Sequence, residues 1–215
     1  MADVAPIFND DFVTLKGATD DTPIGNVGED LKVIDEEAIA ILSVIAGITS
    51  TVFKKTYSAS IGNLIAASSA TDFFTISGSA TKKIKVLAMI FSGTKTNSSF
   101  EDLYYIKRST LNSGGTFTNP TIVPNDSTNP AATAVITAYT ENPTLGALVG
   151  VIRSEKIYLA NKNSSAPNST SIADFTNIFS QPYTLNNANE SLCLNFNGVT
   201  HSGSDLNVTC IWTEE

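Results

Sequence analysis

A chain of 215 residues, 42% apolar and only 16% charged, is long enough for one large β domain or for a smaller domain with an appendage. Its net charge of −8 sits in residues 1–37, which hold ten acids and two bases, while residues 38–215 carry eleven of each. A neutral body without a basic stripe argues against nucleic acid as the main partner, because phosphate contacts supply most of that affinity.

The opening "MADVAPIFNDDF" has neither the basic start nor the apolar stretch of an export leader, so the expectation is a protein made in the cytoplasm with its two Cys reduced. Residues 1–33 mix Asp, Gly, Pro and single apolar residues without a sustained period, and read as an extended acidic arm. "IDEEAIAILSVIAG" then predicts one short helix over 35–46. Asp35 is placed to cap it, Glu36 and Glu37 suit its positive end, and Ile34 with Ile39 can form a hydrophobic staple. Ala38, Ile41, Leu42 and Ile45 make the apolar stripe, and Gly47 is placed to end the helix. The apolar run "AIAILSVIAGITSTV" has 15 residues, too few to span a bilayer, so no membrane partner is expected.

From about residue 54 the pattern has period two. "TDFFTISG", "KKIKVLAMIFSG", "FEDLYYIKRS", "ATAVITAYT", "GALVGVIRSEKIYLA", "ESLCLNFNG" and "DLNVTCIWTEE" read as strands. In the second, Ile84, Val86, Ala88 and Ile90 alternate with Lys83 and Lys85 and then with Leu87, Met89 and Phe91, which predicts a strand half exposed at its start and buried on both faces at its end. The predicted fold is mainly β, a two-sheet, jelly-roll-like sandwich over 54–215, with an immunoglobulin-like sandwich as the alternative, preceded by the arm and helix of 1–53. If the last two strands pair across residue 201, Leu192, Leu194 and Phe196 face Cys210, Val208 and Leu206. In a jelly roll the same faces meet across the core instead, and either way no Cys193–Cys210 bond is expected.

Between the strands lies "KRSTLNSGGTFTNPTIVPNDSTNPAATA", residues 107–134, rich in Ser, Thr and Asn. Uninterrupted loops of this length are uncommon in compact domains and usually functional or disordered. Three prolines, Pro120, Pro124 and Pro130, and the Asx-turn formers around Asn125 and Asp126 limit how freely it wanders. A contact surface presented outward over 109–132 is the expectation.

Residues suited to catalysis are sparse. The single His, His201, stands in the turn "VTHSGSD", a poor place for a triad base. One His and two Cys 17 residues apart form no zinc spacing, and the pairs Asp10-Asp11, Asp20-Asp21 and Glu29-Asp30 lack the alternating oxygen ligands of an EF-hand. "SGTKT" at 92–96 lacks the Walker order. Tyr104, Tyr105 and Tyr139 could form a sugar-stacking platform, although aromatics on alternating strands are usually core. The reading is a non-enzyme that needs no cofactor or metal.

"IKRSTLNSGGT", "VPNDSTNPAATAVITAYTENPTLGALVGVIRS", "LCLNFNGVT" and the terminal "IWTEE" resemble a group of tailed-bacteriophage virion structural proteins of decoration type, over about residues 70–215. The resemblance implies a virion component, a capsid decoration (cement) protein, whose partners are the major capsid protein and copies of itself as a homotrimer. The alternative is a receptor- or carbohydrate-recognising module of a tail or head fibre. The residues expected to make contacts are Asp10, Asp11, Asp20 and Asp21 of the arm, Ile39 and Leu42 of the helix, and Asn112, Asn125 and Asn129 of the polar segment.

Overall fold

The computed structural model describes residues 7–9, 12–14, 54–66, 71–178, 180–197 and 203–215. Its chain contacts divide it into two units, Met1–Phe53 and Lys54–Glu215. In the first unit two short strands, β1 (Ile7–Asn9) and β2 (Phe12–Thr14), form an antiparallel hairpin with Phe8 opposite Val13, a local pairing that the arm's composition did not announce. The helix expected over 35–46 lies outside the described residues, as do Asp10, Asp11, Asp20, Asp21, Ile39 and Leu42.

The second unit is mainly β. In chain order its strands are β3 (Lys55–Leu64), β4 (Asp72–Ser77), β5 (Ile84–Lys95), β6 (Ser99–Arg108), β7 (Phe117–Thr118), β8 (Ile122–Pro124), β9 (Val135–Tyr139), β10 (Leu148–Asn161), β11 (Thr170–Asp174), β12 (Tyr183–Leu185), β13 (Ser191–Phe196) and β14 (Asp205–Glu214). A four-residue helical turn, α1 (Phe175–Ile178), follows β11. The strands form one curled open sheet in the order β7-β9-β4-β13-β6-β10-β5-β14-β3-β8, with β11 and β12 also paired to β5. Every ladder is antiparallel except the step from β10 to β5, a short parallel contact of Ala160 with Thr94 and Asn161 with Lys95.

The curl brings the inner faces of the two halves together. Phe73 of β4 stacks on Phe196 of β13 with ring centroids 4.6 Å apart, and Phe91 of β5 meets both rings at 5.6–5.7 Å. Such pairs add about 0.5–1.5 kcal/mol each beyond the area they bury. Strand β14 follows its sequence pattern: Leu206, Val208, Cys210 and Trp212 are buried at alternate positions. It pairs with β5 on one side and β3 on the other, whereas β13 lies between β4 and β6. The two strands therefore do not pair across residue 201; their apolar faces share one core cluster, and both thiols are free and buried.

In β5 the inward face changes partway. Ile84 and Val86 are buried, then Met89 and Phe91, and not Ala88 and Ile90. Ladder partners explain it: Ile211 of β14 sits opposite Ala88 but Trp212 sits opposite Val86, so Leu87 is an extra residue, a bulge that moves the alternation by one. Ile106, Tyr139 and Cys193 are buried yet stand apart from the main cluster.

Candidate contact surface

Residues 109–132 form a strap attached to both ends of the curled sheet. Phe117–Thr118 pairs with Tyr139 and Ala138 of β9, and Ile122–Pro124 pairs with Ala59, Ser58 and Tyr57 of β3. Three residues separate the two short strands, and an extended chain covers at most about 3.6 Å per residue, so the two ends of the sheet lie within about 14 Å of each other. The expectation of a strandless segment is corrected here. Two or three residues with half their groups facing solvent carry too little pattern to read, and the ladder fixes them.

Side chains hold the first half of the strap. Asp72, fully buried at the start of β4, accepts hydrogen bonds from Arg108 Nε at 2.5 Å and Nη2 at 2.9 Å, from Asn112 Nδ2 at 2.8 Å and from Asn195 Nδ2 at 2.9 Å. Arg108 Nη1 donates to the Gly146 carbonyl at 2.8 Å, and the Gly146 N–H donates to Asn112 Oδ1 at 2.8 Å. Ser113 and Thr144 exchange backbone bonds beside this knot. Burial by itself would raise the Asp72 carboxyl, but Arg108, Asn195 and Asn112 more than offset it and hold the group below its ordinary value. Arg108 is raised in turn: burial opposes its charge, and Asp72 outweighs that.

The second half of the strap is held mainly through the backbone. Asn119 Nδ2 donates to the Ile136 carbonyl at 2.9 Å, the Asn125 N–H to Thr56, and Tyr57 Oη to the Pro130 carbonyl at 3.0 Å. Asp126 Oδ1 accepts from the Thr128 N–H and hydroxyl, an Asx-turn whose two donors lower its carboxyl. Just beyond, buried Glu214 of β14 accepts from the N–H groups of Thr133 and Ala134, from Thr133 Oγ1 and from Trp212 Nε1. The strap is therefore irregular but anchored along its length. Its outward face is mostly Ser, Thr, Asn and Gly, interrupted by exposed Leu111, Phe117 and Val123, and carries one formal charge, Asp126.

The three asparagines singled out from sequence separate here. Asn125 is exposed, with its backbone on β3. Asn129 is half-buried and closes the Asp126 turn through its N–H. Asn112 is turned inward onto Asp72 and Gly146, so it organises the surface rather than presenting itself on it. Sequence reasoning missed Asp72, Arg108 and Glu214. Asp72 offered a signal, a single charge at the start of an otherwise neutral apolar strand, whereas Arg108 beside Lys107 and Glu214 beside Glu215 stand among other charges that hide them. The tyrosine platform does not form, since Tyr105 and Tyr139 are buried, 0% and 5% exposed. A shallow groove of about 320 Å³ runs between Ile152 of β10 and Gln181–Thr184 beside β12. His201 lies outside the described residues. Among those described, no three His, Cys, Asp or Glu side chains cluster to hold a metal, and no helix is long and apolar enough to cross a membrane. No family model, curated protein or solved structure matches this chain.

Proposed function

We propose that this chain is a structural component of a tailed-phage virion, a capsid decoration protein whose polar strap lies against the major capsid protein. The observation that carries a contact role is the anchoring of 109–132. A polar surface that is already ordered loses little conformational entropy when it docks, so its modest hydrogen bonds are kept as affinity. The phage particle itself comes from the resemblance of "LNSGGT", "NPAATA" and "NPTLGALVG" to decoration-type proteins. In this reading the curled sheet is a jelly-roll-like sandwich whose halves divide at the two-residue parallel step from β10 to β5. The acidic arm of 1–53 reaches to the shell or to a neighbouring copy, and no catalytic role attaches to His201.

Electron micrographs of the particle with and without this protein test the reading. Density on the capsid lattice that disappears with the protein supports it; density confined to a tail tip or fibre overturns it. Deleting residues 2–33 should leave the body folded and weaken particle binding, and added salt should do the same. His201→Ala should leave binding intact. A second reading, recognition of a glycan, is favoured by Phe100, which is 68% exposed and packs its ring 5.1 Å from Tyr158. Glycan binding that is lost in Phe100→Ser would promote it.

A further inference from the structure

From Leu148 to Ile157, β10 has a ladder partner on one side only among the described residues, and this stretch departs from strand alternation. Bulges fall between Leu148 and Gly150 and between Val151 and Arg153. As a result the neighbours Leu148 and Val149 are both turned to solvent, 62% and 57% exposed, with Val151 close behind at 49%. The knot that pins Gly146 to Asn112 brings two more apolar side chains to the same end, Leu111 and Leu145. Together the five expose on the order of 400 Å² of apolar surface, in the range where patches on single chains mark interaction sites.

Gly150 stands in the middle of this patch without an internal reason. Its φ is not in the left-handed region, so the bulge does not demand glycine, and among the described residues no atom beyond its two chain neighbours lies within 4 Å of where a Cβ would sit. Glycine inside a strand weakens it, and where neither conformation nor internal packing requires it, close approach by another molecule is the remaining use. The result is a shallow bare spot ringed by Leu148, Val149 and Val151.

We infer that a second copy of this chain packs on this patch and seats an apolar side chain over Gly150. Two observations select a copy of the chain as the occupant, and a third sets the mode of contact. Residues 142–152 and 109–119 contain no charged residue, so a patch meeting its own kind buries no like charges. Half of a standard interface's roughly 800 Å² per partner is already present as apolar area, and the polar strap continues from it as a rim. The third is protection of the strand that carries the patch. Arg153 and Glu155, opposite Tyr105 and Leu103, point to the core-facing side of β10, and the two bulges interrupt its edge. Inward charges and bulges keep this edge from extending its sheet into another chain, so a second copy meets the strand by its side-chain face. The contact is therefore between side-chain faces, and it does not rest on the virion reading.

The test is the mass of the full-length chain in solution, measured by sedimentation or light scattering over a range of concentrations. The wild type should form a closed oligomer. Gly150→Gln should fold with unchanged circular dichroism, because a side chain there meets open space, yet shift half-assembly by about tenfold or more in concentration. Leu148→Asp should do the same from a second position. A wild type that stays monomeric throughout overturns the inference. So does an oligomer whose mass and concentration dependence are unchanged in both variants.

Discussion

Replacing Arg108 with Ala removes the largest single support of the strap. The carboxylate of Asp72, fully buried, keeps Asn112 and Asn195 but loses two of its four donors, and the Gly146 carbonyl loses its partner. Breaking a buried pair by removing one partner costs about 3–5 kcal/mol, and the two remaining amides place this site at the lower end, about 3 kcal/mol. A body of this size loses roughly 2–4 °C per kcal/mol, so the melting temperature should fall by roughly 6–12 °C. Arg108→Lys keeps the charge but not the two-pronged geometry and should land between wild type and Ala. Urea denaturation gives the free energy, and hydrogen exchange should rise first at 109–113 and 144–147, where the ribbon depends on the knot. A cost below about 1 kcal/mol, or a Lys variant equal to wild type, refutes the argument that the fork holds the strap.

Three further outcomes follow from the same geometry. Asp72→Asn should be less stable than wild type at neutral pH. The Asp72 carboxyl is held below its ordinary value of 3.8, so its contribution is complete above that value and is lost as pH falls through the lowered one. The gap between wild type and variant should therefore narrow below about pH 4, and a gap constant into strong acid counts against the pairing. Glu214→Ala strips partners from the Thr133 and Ala134 N–H groups and from Trp212, and should cost about 2–4 kcal/mol in chemical denaturation; a neutral result would show that the strap's far end is held otherwise. Cys193 and Cys210 are both buried, with burial pushing both thiols up, so a thiol reagent should modify them only at the rate of unfolding, and rapid native labelling of either would show that the body opens locally.

What could be read from the sequence divides along physical lines. Strands with long apolar alternation, such as β14, were legible because each buried residue repeats the same message. In β5 the same rule gave the right strand but expected burial on both faces at its end, whereas Met89 and Phe91 are buried and Ala88 and Ile90 only half-buried. The bulge at Leu87 that selects that face is set by the partner's register and not by the strand's own pattern. β3, with Ser58, Ser60, Gly62 and Asn63 among its ten residues, passed unnamed, because pairing with β14 and β8 decides it more than propensity does. The polar segment was legible as a surface, but its strap path was not. Asn112 illustrates why: nothing local distinguishes an amide that faces a partner from one that reaches 40 positions back to a buried carboxylate.

The place of β14 has a consequence for how the body is made. It lies between β5 and β3, pairing Glu214 with both Ile84 and Lys55, although it follows all the other described strands in the chain and is synthesised after them. Until then β3 and β5 each lack their common neighbour, and Trp212 is missing from its stack on Tyr57, 5.9 Å away. Folding of the nascent chain therefore cannot be completed piecemeal from the N-terminus. The open flanks of β3 and β5 wait through the synthesis of more than a hundred residues, and contacts this far apart in sequence close slowly. A chain cut short before β14 should thus fail as a whole and aggregate through those two flanks, even though it contains almost all of the core.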